Sequence, residues 1–330
     1  MMKIAIVILN WNGQKLLQQF LPSVIQHSQG ADIYVADNAS TDNSIAFVKT
    51  NYPNIALIQN QTNGGYAKGY NDALKHVKAD VYCLLNSDIE VTPNWLTPII
   101  NTFKTEANTS IIQPKILDFN NKAYFEYAGA AGGFIDKYGY PYCRGRIFDT
   151  IEKDHGQYND TTEIFWATGA CLFIRSNVYQ QLNGLDEYFF AHMEEIDLCW
   201  RAKNLGHTIK YVGQSTIYHV GGATLKSTNP RKTFLNFRNS LITLTKNANG
   251  FVFGKIFVRL ILDGAAAIKF LLQLKPLHML AILKAHFSYY KQLPRVLKQR
   301  KAIKTKTKYY STTSIVYDYF VCKKTEYRSL

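Results

Sequence analysis

Val81-Tyr82-Cys83-Leu84-Leu85-Asn86-Ser87-Asp88 is the stretch on which the fold turns. An unbroken apolar run of this length reads as a strand buried on both faces, and the Asn-Ser-Asp loop ends it. The same grammar recurs around it. Apolar runs stand at Ile4 to Leu9, Ile33 to Ala36, Ile55 to Ile58 and Ile111 to Ile112. Between the first two, Leu16, Leu17, Phe20, Leu21, Val24 and Ile25 keep the spacing of one helix face, with Pro22 placed to kink it. Strands alternating with helices over residues 1–117 predict an α/β fold, a mainly parallel sheet flanked by helices and joined by right-handed crossovers. Ligands of such sheets sit at the C-terminal ends of the strands.

Those ends are polar. They carry Asn10-Trp11-Asn12-Gly13, Asp37-Asn38-Ala39-Ser40-Thr41-Asp42, Asn60 to Tyr66, and Asn86-Ser87-Asp88. Any one of them would suit an N-cap or an Asx-turn. Their convergence on one edge points to a polar-ligand site. From about 118 to 225 the alternation is lost. Tyr127 to Phe134 and Tyr138 to Tyr142, rich in Gly and aromatics, suggest loops or a hairpin, and the apolar segment Phe165 to Ile174 precedes a helix predicted from about Ala191 to Leu205.

With 330 residues, 47% hydrophobic and 19% charged, the chain is neither disordered nor collagen-like nor a disulfide-stapled mini-protein. Its net charge of +14 is unevenly spread. Residues 1–225 hold 17 Lys and Arg against 21 Asp and Glu, whereas 226–330 hold 21 against 3. This split predicts a near-neutral body, 1–225, and a basic arm, 226–330, that seeks polyanions. Cys83, Cys143, Cys171, Cys199 and Cys322 form no C-x-x-C pair, which fits a reducing compartment. The first apolar run is too short for a secretory signal, and none reaches the roughly 20 residues that span a bilayer. A cytoplasmic protein, peripheral on the inner face of the cell membrane, is expected.

The membrane enters through residues 250–308. Ile256, Phe257, Leu260, Ile261, Ile268, Leu271 and Leu272 keep helical spacing, with Lys255, Arg259, Asp263 and Lys269 at other positions. After Pro276, Leu280, Leu283, Phe287 and Tyr290 lie on one side and Lys284, Lys291 and Lys298 on another. A basic amphipathic pair of this kind suits an anionic membrane surface, and apolar faces accompanying the charge favour it over a merely solvated face.

Three constellations carry chemistry. Asp88, with Asn86 two residues earlier, can hold a divalent cation while leaving positions for water and phosphate oxygens; an Asx-turn is the plainer alternative. In Glu194-Glu195-Ile196-Asp197-Leu198-Cys199-Trp200-Arg201 the acids open a helix. Glu194, Asp197 and Arg201 share one face, so Arg201 can restrain a carboxylate while Glu195 points elsewhere. Such acids also complement the helix dipole. The preceding rings Tyr188, Phe189 and Phe190 would desolvate an acid and raise its proton affinity, which suits a general base. In Tyr218-His219-Val220-Gly221-Gly222, His219 is either a structural histidine or a ligand beside Asp88.

Val7 to Gly13, Asp37 to Asp42, Asn63-Gly64-Gly65-Tyr66-Ala67-Lys68-Gly69-Tyr70-Asn71, Leu84 to Asp88, Thr168-Gly169-Ala170 and Glu194 to Arg201 together resemble family 2 glycosyltransferases of the GT-A fold, most of all the rhamnosyltransferase-like branch. The similarity covers residues 3 to about 245. It implies an inverting transfer of sugar from a nucleotide-diphosphate donor, dTDP-rhamnose or a UDP-sugar, to a saccharide or polyprenol-linked acceptor in cell-surface polysaccharide synthesis. It further implies that Asp37 contacts the base with Asn10 and Asn12 nearby. Asn63, Gly65 and Asn71 would shape the nucleotide and ribose pocket, with Asn86 beside the metal. Asp88 and His219 would bind that divalent metal, Mg or Mn. Many members have Asp where this chain has Asn86, and the usual Glu-Asp pair is Glu194-Glu195, which makes Glu195 the base with Glu194 and Asp197 beside it.

Two other functions compete with this one. A sugar-phosphate nucleotidyltransferase wants a Gly-rich, basic triphosphate loop after the first strand, where this chain has no base before Lys15. A non-enzymatic polyanion binder would line a groove with bases, whereas here they alternate with apolar faces. Nucleic acid is therefore not expected as a partner.

Overall fold

The computed structural model describes residues 2–221 and 228–330. Its elements in chain order are β1 (Ile4–Asn10), α1 (Gln14–His27), β2 (Asp32–Asp37), α2 (Ser44–Asn51), β3 (Ala56–Gln59), α3 (Gly65–Leu74), β4 (Val81–Asn86), β5 (Ile89–Val91), α4 (Leu96–Thr105) and β6 (Thr109–Asp118). Then follow β7 (Gly133–Ile135), β8 (Pro141–Cys143), β9 (Arg146–Ile147), β10 (Thr150–Ile151), β11 (Thr161–Glu163), β12 (Cys171–Arg175), α5 (Ser176–Gln181), α6 (Glu194–Asn204) and β13 (Thr208–His219). Four helices complete the chain: α7 (Pro230–Asn247), α8 (Val252–Leu272), α9 (Pro276–Ala302) and α10 (Ile315–Phe320).

The main sheet runs β11-β13-β6-β12-β4-β1-β2-β3, with β5 paired to β13. The pairings give β1, β2, β3, β4, β6 and β13 a common direction, while β5, β11 and β12 oppose it. Alternate residues of the central strands feed two cores. Ala5, Val7, Leu84 and Leu172 face one, and Ile4, Ile6, Ile8, Cys83, Leu85 and Phe173 the other. The second core is closed by α1 and α4 through Leu17, Leu21, Val24, Ile99 and Phe103. Strands β7 to β10 form a separate small sheet, where the Gly-rich, aromatic stretch suggested a hairpin.

The structure differs from the sequence reading in four places. The run at Ile111–Ile112 is the middle of a ten-residue strand, β6. Only the end of Phe165–Ile174 is strand, and β12 lies antiparallel between β4 and β6 in the heart of the sheet. Helix α6 starts at Glu194 rather than Ala191, because Phe190, His192 and Met193 have φ of 65°, 70° and 74° and cannot be helical. Helix α7 lies in the basic arm ahead of the helical spacing that begins near residue 250. Its Leu241, Ile242 and Leu244 join the same core as β1 and β4, so the core continues past the boundary expected at 225/226. That boundary itself, and Gly222, lie outside the described residues.

The faces of α8 are the reverse of a surface helix. Arg259 and Asp263 are buried as an ion pair at 2.6 Å, with Ser240 bonded to Arg259 and the Tyr140 hydroxyl to Asp263. Phe257, Ile261, Ile268 and Leu272 stand in solvent at 66%, 58%, 61% and 78% exposure. Helix α9 likewise buries Ala281, Ile282, Ala285 and Tyr289 and exposes Leu280, Leu283, Phe287 and Tyr290.

Candidate active site

Because six strands share a direction, their C-terminal ends fall on one edge. Pairing sets Asn10 opposite Asp37, and Leu9 opposite Asn86. His219 is opposite both Asp118 and Ile89, the residue after Asp88. The antiparallel β12 begins at this edge, which brings Thr168-Gly169-Ala170 to it; the Asn86 backbone N–H donates to the Ala170 carbonyl at 2.9 Å.

At the β1 and β2 end, the buried Asn10 amide donates to Asp37 Oδ1 at 3.2 Å, and the Ser40 N–H donates to Asp37 Oδ2 at 2.9 Å. Asn10 Oδ1 is buried without a partner. Asn12 uses its side-chain oxygen to accept the Thr41 N–H at 2.7 Å, and so stitches the first loop to the second. Asn63 Oδ1 accepts from Asn38 Nδ2 and from the Gly65 N–H, both at 3.0 Å. Gly65 has φ +82°, and a Cβ there would lie 2.4 Å from the Phe190 carbonyl, so this position requires glycine. Asn71 does not fit the pocket role. Its amide donates to the Leu185 carbonyl and Glu187, and its oxygen accepts from Tyr179 and the Leu185 N–H. Every polar group of Asn71 is thus spent on holding the 184–187 loop.

At the β4 and β13 end, His219 Nε2 lies 3.1 Å from Asp88 Oδ1 and 3.4 Å from Asn86 Nδ2. Its Nδ1 lies 3.3 Å from Glu126 Oε1, and Glu126 Oε2 accepts the Ala128 N–H at 2.6 Å. All three titratable groups are buried. Burial opposes charge on His219, but the Glu126 and Asp88 carboxylates override it and push its pKa up to about 10. Sequence reasoning missed Glu126, which sits in no motif.

Among the described residues no cluster of three or more His, Cys, Asp and Glu is arranged to hold a metal ion. Asp88 and His219 still fit as a pair. Asp88 supplies a hard carboxylate oxygen of the kind Mg or Mn takes, and His219 beside it would ligate only after giving up the proton that its raised pKa holds.

The third cluster opens α6. Glu194 is buried and Glu195 half-buried, and one carboxylate oxygen of each is without a partner. Burial raises both; Glu195 reaches about 7, despite bonds from backbone amides including Gly169. Asp197 is a different case. It is fully buried, with Arg201 Nε at 2.7 Å and Lys246 Nζ at 2.9 Å on one oxygen and Asn247 Nδ2 at 2.8 Å on the other. Burial would raise Asp197, but Lys246 and Arg201 hold it below the usual carboxylate range. A carboxylate so occupied cannot collect a substrate proton, which removes Asp197 from the catalytic set.

This architecture is the GT-A glycosyltransferase fold. The mannosyltransferase PcManGT from Pyrobaculum calidifontis, in complex with GDP-Man and Mn2+, matches with TM-score 0.53 and 11% identity over 87% of this chain and 86% of that one. S. aureus TarS 1-349 in complex with UDP-GlcNAc matches with TM-score 0.53 and 16% identity over 92% and 80%.

Residues 5–182 match Glycosyl transferase family 2, and the chain belongs to that family. It is a glycosyltransferase, and its sequence is similar to that of rhamnosyltransferases. An N-acetylglucosaminyl-diphospho-decaprenol L-rhamnosyltransferase of Mycobacterium tuberculosis is 23% identical over 65% of this chain and 75% of its own length. The low-salt glycan biosynthesis hexosyltransferase Agl10 of Haloferax volcanii is 25% identical over 61% of each.

Proposed function

We propose that this glycosyltransferase moves a sugar from a nucleotide-diphosphate donor, dTDP-rhamnose or a UDP-sugar, to a hydroxyl of a saccharide or polyprenol-linked acceptor. The transfer inverts the anomeric carbon and serves synthesis of a cell-surface polysaccharide on the cytoplasmic face of the membrane. The observation that carries the reading is the buried Asp88–His219 pair at the C-terminal edge of the sheet, beside the Thr168-Gly169-Ala170 turn whose Ala170 carbonyl accepts the Asn86 backbone N–H.

Asp37, Asn10, Asn63 and Gly65 shape the donor end, with Asn12 fixing the loop around them. Asp88 and His219 would hold Mg or Mn beside Asn86, and such an ion supplies positive charge against the donor diphosphate. Glu126, 3.3 Å from Nδ1 on the far side of the His219 ring, sets a second carboxylate against it. Glu195 takes the acceptor proton as the acceptor oxygen bonds the anomeric carbon and the bond to the diphosphate breaks, its electron pair leaving with the nucleoside diphosphate. With its pKa up at about 7, Glu195 is basic enough to accept that proton and still ionises near neutrality.

A panel of UDP-, GDP- and dTDP-sugars tests the reading. One nucleotide class raises Tm and gives nucleoside diphosphate release that depends on Mg or Mn. Glu195→Gln keeps the Tm rise and loses at least about 100-fold in release. Full release in chelator, or a Glu195→Gln variant turning over at the wild-type rate, would refute the metal and base assignments respectively.

A further inference from the structure

Backbone in the left-handed region leads straight into the catalytic pair. Phe190, His192 and Met193, none of them glycine, have φ of 65°, 70° and 74°. L residues there are strained and persist only where their surroundings over-determine them. The restraint comes from α7. The fully buried Asn239 donates from Nδ2 to the carbonyls of Phe189, Ala191 and His192 at 3.1, 3.0 and 2.7 Å. Two hydrogens serve three acceptors, so one is shared. Arg238 donates to Asn239 Oδ1 at 2.8 Å, which orients the amide, and to the Tyr188 and Phe189 carbonyls at 3.1 Å. On the opposite side the Tyr66 N–H donates to the Phe190 carbonyl at 2.8 Å, beside Gly65 of the donor end.

We infer that Asn239 is a positioning residue for transfer. It fixes the strained 189–193 turn and thereby aims Glu194 and Glu195 at the acceptor, from a helix outside residues 5–182 that match the family. A side-chain amide puts two hydrogens on one nitrogen without adding a buried charge, which suits the three carbonyls of this tight turn. Aspartate has no donor to offer, and alanine leaves the carbonyls buried and unpaired. The inference rests on the assignment of the base to the Glu194–Glu195 pair.

Asn239→Ala and Asn239→Ser are assayed with the donor identified by the panel, alongside Glu195→Gln and Glu194→Gln. Each folded Asn239 variant is expected to keep the donor KM within about twofold and to lose about 100-fold in kcat, the cost of a catalytic group displaced by about 1 Å. Asn239→Ser, with one donor left, recovers part of the loss. The acidic limb of the kcat/KM–pH profile, where Glu195 of the free enzyme ionises, also moves. Wild-type kcat with an unmoved limb in a folded variant overturns the inference, as does a loss of kcat that merely tracks lost Tm. If neither Asn239 variant folds, the half-buried Arg238→Gln carries the same expectation and the same refutation. Inactive Glu195→Gln with fully active Asn239→Ala defeats this inference alone; full turnover in both glutamate variants defeats the base assignment and this inference with it.

Discussion

Glu195 shows how one burial serves chemistry and costs stability. Its carboxyl sits at about 7 in the folded protein against an ordinary 4.5, so the folded state binds this proton more tightly than the unfolded chain. Its contribution to stability is therefore complete below about 4.5 and is lost as pH rises through 7. Transfer runs the other way, since the base works only when ionised. Turnover should rise with pH through about 7 while Tm falls over the same interval. Calorimetry of Glu195→Gln at two pH values checks the cause. The variant should melt higher than the wild type at pH 8, and the gap should close by pH 4. Equal melting temperatures at pH 8 would mean that burial does not raise this group.

At the scale of elements, α6 is tied to the C-terminal helices by buried charge. Lys246 of α7 bonds both Asp197 and Asp186, at 2.9 and 3.0 Å, and Asp186 also accepts from Arg295 and Gln299 of α9. Burial opposes ionisation of Asp186, but Lys246 and Arg295 bring it down to about 2. Lys246→Met would leave two buried carboxylates short of a cation and should destabilise the protein by about 3 kcal/mol at pH 7, read from urea melts. A loss below about 0.5 kcal/mol would show that Arg201 and Arg295 suffice alone. The sequence announced the near half of this network and hid the far half. Asp197 and Arg201 stand at i, i+4, a spacing that helical periodicity reveals. Lys246 is 49 residues from Asp197 and bears no periodic relation to it. The same holds for the sheet. Strands β1 to β4 follow one another as βα units, and their polar ends marked the donor edge. The entry of β12 between β4 and β6, and the capture of His219 by Glu126, depend on long-range pairing that leaves no local pattern. Asn71 misled for the converse reason: a residue inside a recognisable motif was spent on a neighbouring loop.

For the whole molecule, the two long C-terminal helices present exposed apolar residues and exposed lysines together. Helices α8 and α9 turn Arg259 and Asp263 inward and Phe257, Ile261, Leu272, Leu283 and Phe287 outward, with Lys269, Lys275, Lys284, Lys291 and Lys298 exposed beside them. Water gives no reason for a helix to bury an ion pair and expose its phenylalanines; an interface that is apolar below and anionic above does. No helix among the described residues is long and apolar enough to cross a membrane, and the contact proposed for these helices is with the bilayer surface. Removing the C-terminal helices is a poor test, because it strips Asp186 of Lys246 and Arg295, leaves Asp197 with Arg201 alone, and unsettles the catalytic turn. Phe257→Glu combined with Phe287→Glu alters only exposed positions, at 66% and 74% exposure, and should leave Tm within a few degrees. Each phenylalanine withdrawn from lipid forfeits about 1.5–3 kcal/mol, so partitioning onto phosphatidylglycerol vesicles should fall by at least about 100-fold. Added salt should weaken the wild type's binding without abolishing it, because salt screens the lysines but not the apolar contact. Wild-type sedimentation of the double variant would place the membrane contact elsewhere; binding that vanishes entirely in salt would make it a charge effect alone.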